Sequence, residues 1–424
     1  MFMPVFSFPV NSKLCRIGLL SLLFGLIPAQ LPAAAEVTGR PSGLSLQTFQ
    51  SGPMNRWAFS HLREVLPTAA IRRDPAGFQP LAMSDEFSSD FSVSLEGQEQ
   101  SIDEIAAAQF IDGLLVLKDG KIVAERYYGQ LAADRPHLLN SVSKSIVGLL
   151  ARKLAADGVI DLSLPVSHYV PELAESGYGP DSLETVLDMQ DGSDYREDYE
   201  DLSSTFRMQD CAIGWSNASY CPANGPKSLF EFLPTVGRDA AQVGTFEYRS
   251  GSVNAIAWVL ESATDQPLAA LISDYIWQPM GAEFDANITI DQGGFALADH
   301  GISATLRDLG RFGLLMLNDG QSFGNQVVPA SVLQDIKNTP GDPNWSLPAP
   351  DGYKPFYRSF WWGEGNPGGD VSGLGIHGQI VHVVPKDGLV IAMFSSWPRA
   401  EANGPKVGWD ATGQLMDALI AKFR

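Results

Sequence analysis

At 424 residues, 45% hydrophobic and 18% charged, the chain can bury a large core and has ordinary globular composition. A formal charge of −20 argues against nucleic acid and against anionic membrane surfaces as partners. The length fits two structural units, or one large unit carrying an insertion.

Residues 1–35 read as a cleavable signal peptide. Lys13 and Arg16 precede an apolar run from Ile17 to Ile27, and Ala33, Ala34 and Ala35 offer small residues for cleavage ahead of Glu36. The run is short for a bilayer span, so a periplasmic or secreted protein is expected rather than an anchored one. No later stretch is long and apolar enough to span, and no stable membrane insertion is expected once the signal is removed. Cys15 falls inside the signal, which leaves Cys211 and Cys221. In an exported chain these two are disulfide candidates, a bridge worth about 2–3 kcal/mol at most for so short a loop. Two buried thiols are the alternative. The absence of clustered histidines argues against zinc.

Along the chain, a first helical pattern covers Asn55 to Val65, and Arg72 to Glu99 reads as loop. A hairpin follows, Gly113–Leu117 and Ile122–Tyr127 about the turn Lys118-Asp119-Gly120. A helix starts at Ser141, with Ile146, Leu149, Leu150 and Leu154 at spacings of three and four and a stop at Asp157-Gly158. Short helices and loops come next, including an acidic, aromatic run from Asp191 to Asp201 whose carboxylates read as a solvated surface. Ser252 to Ile276 has the period of a core helix, and Gly301–Leu315 opens another with Ser303 or Thr305 as its cap. A second hairpin joins Gln379–Val384 to Leu389–Phe394, and a helix from Asp410 to Phe423 closes the chain. The pattern predicts one sheet domain built from both ends, residues 36–165 with 300–424, and a mostly helical domain over 166–299. Asn-x-Ser/Thr matches, those at Asn217 and Asn287 among them, are treated as chance.

The helix at Ser141 carries the chain's one Ser-x-x-Lys. Ser141 and Lys144, three apart, share a helix face. A serine hydroxyl is a weak nucleophile until a base lies within hydrogen-bond reach, and a lysine is a base only if burial or a second cation lowers its pKa. The alternative is a serine that caps the helix beside a solvated lysine. Tyr248, in Phe246-Glu247-Tyr248-Arg249-Ser250-Gly251, sits where small residues lead into a helix and can relay a proton, or can simply pack. His377-Gly378-Gln379 precedes the late strand. A backbone N–H from that edge can pair with that of Ser141 as an oxyanion hole, while His377 is equally readable as a satisfied edge histidine. No H-E-x-x-H or P-loop competes with this reading.

Together these segments resemble the serine β-lactamase and penicillin-binding superfamily, and within it the branch of class C-like (family VIII-type) esterases and 6-aminohexanoate-dimer hydrolases. The resemblance runs from about Asn55 to the C-terminus. It rests on Ser141-Val142-Ser143-Lys144, on Tyr248-Arg249-Ser250 in place of Tyr-x-Asn, and on His377-Gly378-Gln379 in place of Lys-Thr-Gly. Asn55-Arg56-Trp57-Ala58-Phe59, Glu197-Asp198-Tyr199 and Ser303 to Leu309 also look like that branch. It implies an α+β fold, a mainly antiparallel sheet flanked by helices with an inserted mostly helical domain and the site between them. It implies Ser141 as acylated nucleophile, Lys144 as base and Tyr248 as proton relay, with no metal or organic cofactor. It further implies substrate contacts from Tyr199, His377, Gly378 and Gln379. The missing lysine of the third motif and Ser250 in place of asparagine favour small esters or linear amides. A β-lactamase or D-Ala-D-Ala carboxypeptidase, or a non-catalytic sensor domain, is the alternative.

Overall fold

The computed structural model describes residues 39–216, 219–345, 347, 349, 351–366, 368–404 and 406–424. The proposed signal, residues 1–35, and Asn217 lie outside them.

The first hairpin forms as its sequence predicts, from β1 (Ile111–Lys118) and β2 (Lys121–Tyr127). Asp119 and Gly120, at φ +48° and +78°, supply the left-handed pair that a two-residue turn matching the strand twist requires. Five late strands extend the sheet: β3 (Phe356–Arg358), β4 (Trp361–Gly363), β5 (Val371–Gly375), β6 (Gln379–Val384) and β7 (Leu389–Ser395). The spatial order is β3-β4-β5-β6-β7-β1-β2, every pair antiparallel. Every residue of β6 and β7 is buried, so this sheet is covered on both faces. Neither strand alternates polar and apolar, which is why they read as continuous apolar runs.

Five helices matter to the site. They are α1 (Val142–Ala156), α2 (Thr205–Ala212), α3 (Ser250–Thr264), α4 (Leu306–Leu317) and α5 (Trp409–Phe423). Helix α1 packs against β4, β5 and β6 on one side and α3 on another. Its Gly148 sits so close to the Ser359 carbonyl that a Cβ there would lie 2.1 Å from the oxygen. Helix α4 lies on β1, β6 and β7, where Gly310 and Gly313 let Leu115 and Val390 approach the helix backbone. Thr305 is its cap, accepting the Asp308 N–H at 3.3 Å, whereas Ser303 lies in a strand.

Several elements differ from the sequence reading. Helix at Asn55 stops at Ala58, because the Ser60 hydroxyl and the His61 ring both bond the Trp57 carbonyl that a further turn needs. Arg72 to Glu99 holds a strand, Ser92–Leu95, paired with Gln98–Ser101. The core helix ends at Thr264, Asp265 turning left-handed at φ +55° ahead of Pro267, and resumes at Leu268. A second antiparallel sheet, absent from the sequence reading, runs in the order Thr68–Ile71, Ala286–Thr289, Ile302–Ala304, His137–Leu138. One of its strands lies within 166–299 and carries Asn287, which is buried. Among the described residues no helix is long and apolar enough to cross a membrane.

Candidate active site

Ser141 stands where the strand His137–Leu138 passes into α1. Asn140 makes the bend at φ +46°, a conformation asparagine tolerates better than most residues, and its amide is fixed by donating to the Ile376 carbonyl at 3.0 Å. Ser141 holds the N-cap position of the helix, but its side chain makes no capping hydrogen bond. Its Oγ instead receives the Lys144 Nζ at 2.8 Å, and Nζ also donates to the Asp299 backbone carbonyl at 2.8 Å. Lys144 is 1% exposed, so the solvated-lysine alternative does not describe it.

Burial lowers the Lys144 pKa from its ordinary value, and the Asp299 and Glu197 charges oppose that shift only in part. Tyr248 moves the other way. Burial holds its phenol well above the ordinary tyrosine range, reinforced by Glu197 and opposed by an interaction with the Ser141 hydroxyl. The Tyr248 ring lies 5.2 Å from Lys144 Nζ and stacks on Trp362 at 5.5 Å. The structure therefore gathers Ser141, Lys144 and Tyr248 in one place, with the amine tuned toward a free base and the phenol toward a neutral acid.

The third motif is arranged differently from its sequence reading. His377 takes φ +62°, and its Nδ1 lies 2.7 Å from the Trp397 carbonyl. Burial pulls its pKa to about 4, so it carries no charge near neutral pH and cannot replace the missing lysine. Gly378 leaves room for the Trp397 indole, 2.5 Å from where a Cβ would stand, rather than for a ligand. Gln379 turns into the sheet, its amide spanning the Ser395 and His377 carbonyls. The N–H groups of His377 and Gly378 are already engaged, by Ala400 and Gly375. Among the described residues, those of Ser141 and Ile376 donate to no protein acceptor. Gly375, where a Cβ would sit 3.0 Å from Ser141 N, precedes Ile376 in the chain.

The acidic run divides between surface and interior. Asp194, Asp198 and Glu200 are exposed and Asp201 is half-buried, but Asp191 is fully buried, accepting the Ser252 hydroxyl at 2.7 Å. Glu197 turns inward, where it accepts the Ser250 N–H and hydroxyl at 2.8 Å each and the Tyr199 phenol at 2.9 Å. Ser250 thus anchors a carboxylate at the position where the resemblance expects an asparagine. Asp299 and Ile376 were missed by the sequence reading, and Glu197 entered it only within the segment Glu197-Asp198-Tyr199 and as one of the surface acids; no spacing in the chain marks the three.

Tyr199 and His377 line a cleft of about 460 Å³, together with Arg207, Asp210, Trp215 and Tyr220. Cys211 and Cys221 are joined in a disulfide at the end of α2, beside this cleft.

A family profile described as β-lactamase matches residues 99–407. The 6-aminohexanoate-dimer hydrolase of Paenarthrobacter ureafaciens is 39% identical over 381 residues, 88% of this chain and 92% of that protein. Among solved structures, a candidate 6-aminohexanoate-dimer hydrolase from Bacillus anthracis superposes with a TM-score of 0.79 at 25% identity, covering 90% of this chain and 97% of that one. The octameric penicillin-binding protein homologue of Pyrococcus abyssi shares the fold, with a TM-score of 0.55 at 16% identity over 76% of each chain. With the antiparallel sheet, its helices and these relatives on one footing, the chain belongs to the β-lactamase/transpeptidase-fold family, as one of its hydrolases.

Proposed function

We propose that this hydrolase is exported and cleaves small carboxylic esters or linear amides, 6-aminohexanoate dimer among them, through an acyl-enzyme on Ser141. The observation that carries the reading is the Lys144 amine 2.8 Å from Ser141 Oγ, buried and held by the Asp299 carbonyl. In the acylation step Ser141 Oγ attacks the substrate carbonyl carbon as its proton passes to neutral Lys144. The oxyanion is received by the N–H groups of Ser141 and Ile376. Tyr248, a neutral phenol, protonates the leaving nitrogen or oxygen and recovers a proton from Lys144. Water then attacks the ester on Ser141, its proton returning through the same pair, and the acid leaves. Tyr199 faces the cleft from the Glu197 carboxylate and contacts the substrate amide.

The uncharged state of His377 supports esters and linear amides over β-lactams, whose carboxylate needs a fixed cation. The Cys211–Cys221 bridge supports export, because disulfides persist in oxidising compartments. The test is hydrolysis of p-nitrophenyl acetate, linear 6-aminohexanoate dimer and a chromogenic cephalosporin by wild type and Ser141→Ala. Turnover of the first two, lost in the variant, is expected. Cephalosporin turnover alone would move the protein to the β-lactamases, and no turnover of any would favour a binding domain.

A further inference from the structure

The outer wall of the cleft is built by two segments that carry none of the catalytic groups. One is a strap ahead of the matched family region, which begins at residue 99; it presents Gln47 and Gln50. The other is the loop closed by the Cys211–Cys221 bridge, which presents Ser216 and Tyr220. The two clasp each other through fully buried Phe49, whose ring meets Trp215 edge-on at 5.2 Å. Trp215 in turn meets His300 at 4.4 Å, next to the Asp299 whose carbonyl holds Lys144. The strap is pinned to the far side of the cleft by the Gly52 N–H on the Pro398 carbonyl at 3.0 Å, with no room for a larger residue at 52. The loop is pinned by the disulfide, by the Ser216 N–H on the Asp210 carbonyl and by the 3.0 Å pair of Ser216 and Tyr220 hydroxyls.

We infer that this wall determines specificity, selecting an extended chain that carries hydrogen-bonding groups beyond the scissile bond, and that the disulfide is its staple. Gln47, Gln50, Ser216 and Tyr220 offer amides and hydroxyls that both donate and accept, and Glu200, Arg207, Asp210 and Arg399 line the same cleft, so the ammonium and carboxylate ends of a linear dimer both find partners along it. Ser141, Lys144 and Tyr248 are not among the residues that line this cleft, and a compact ester with no distal polar group gives the wall nothing to hold. The inference rests on the hydrolase reading above and names the part of the cleft that gives it its preference for linear amides.

The test compares steady-state kinetics on linear 6-aminohexanoate dimer and on p-nitrophenyl acetate, with fluorophosphonate labelling of Ser141 as a separate readout. The proteins are wild type, wild type reduced with a phosphine, the reduced protein reoxidised, Cys211→Ser/Cys221→Ser and Gln50→Ala. Reduction and the double serine variant are expected to raise KM for the dimer about tenfold, the loss of one or two hydrogen bonds. Ester turnover and labelling stay at the wild-type rate, and reoxidation restores the dimer KM. Gln50→Ala is expected to raise the dimer KM several-fold by itself. If the serine variant does not fold, the reversible reduction and Gln50→Ala still decide. Parallel losses on ester and dimer, an unchanged dimer KM, or a wild type that cleaves the ester but not the dimer would overturn the inference. A wild type that neither labels nor cleaves the ester would instead sink the hydrolase reading on which it stands.

Discussion

The opposite tasks proposed for Lys144 and Tyr248 share one physical cause, burial, which penalises the ammonium of the first and the phenolate of the second. The base must be neutral to take the Ser141 proton, so kcat/KM is expected to rise with pH through the Lys144 pKa, which lies below lysine's ordinary 10.5. Glu197 pulls that pKa upward. Glu197→Gln is therefore expected to move the acid limb of the profile to lower pH, measured with p-nitrophenyl acetate across a buffer series. A limb that stays in place would show that Lys144 does not govern it. Lys144→Met should lower kcat/KM by about a thousandfold and Tyr248→Phe by about a hundredfold, the range for a general base and a general acid.

At the scale of elements, α1 sets the position of both Ser141 and Lys144, and its seat depends on Gly148. A methyl group at that position meets the Ser359 carbonyl, a backbone atom that cannot move aside cheaply. Gly148→Ala should cost about 1–3 kcal/mol in denaturant unfolding and lower activity as α1 is displaced. Unfolding free energy equal to that of wild type would contradict this packing account. The same helix shows what a sequence reveals. Ser141, Lys144 and the two hairpins were legible because each is local, a three-residue spacing or a turn between apolar runs. Glu197 was not legible, since its partner Ser250 lies on another helix and its neighbours in the chain are solvated acids. Ile376 was missed for the same reason, since the oxyanion role proposed for its N–H depends on a strand edge that only the folded sheet brings to Ser141. The Asn55 helix was overread because the pattern continues past Ser60, where side chains take over the backbone acceptor. The short strands of the second sheet, two to four residues each, carry too few side chains for a period to show.

Across the whole molecule, the acidic chain also keeps carboxyl groups inside. Glu364, after β4, shares Asn366 with Asp370, the side-chain amide donating to both at 3.0 and 2.8 Å. Burial, then the charges of Asp370 and Asp417, hold Glu364 well above the usual carboxyl range, and burial beside Asp370 brings Asp417 on α5 up to about 6. Both groups bind protons more tightly folded than unfolded. Their contribution is complete below the unfolded carboxyl pKa of about 4 and is lost as pH rises through the folded values. Glu364→Gln should therefore raise Tm relative to wild type at pH 8, with the gain shrinking toward pH 4. A gain of the same size at every pH would rule out titration as its cause. The proposed reaction turns on one nucleophile, Ser141. Intact-mass analysis after incubation with a fluorophosphonate, beside Ser141→Ala, tests it most directly. A single adduct on wild type and none on the variant is the predicted result. A folded wild type without an adduct, or an adduct that persists in Ser141→Ala, would contradict it.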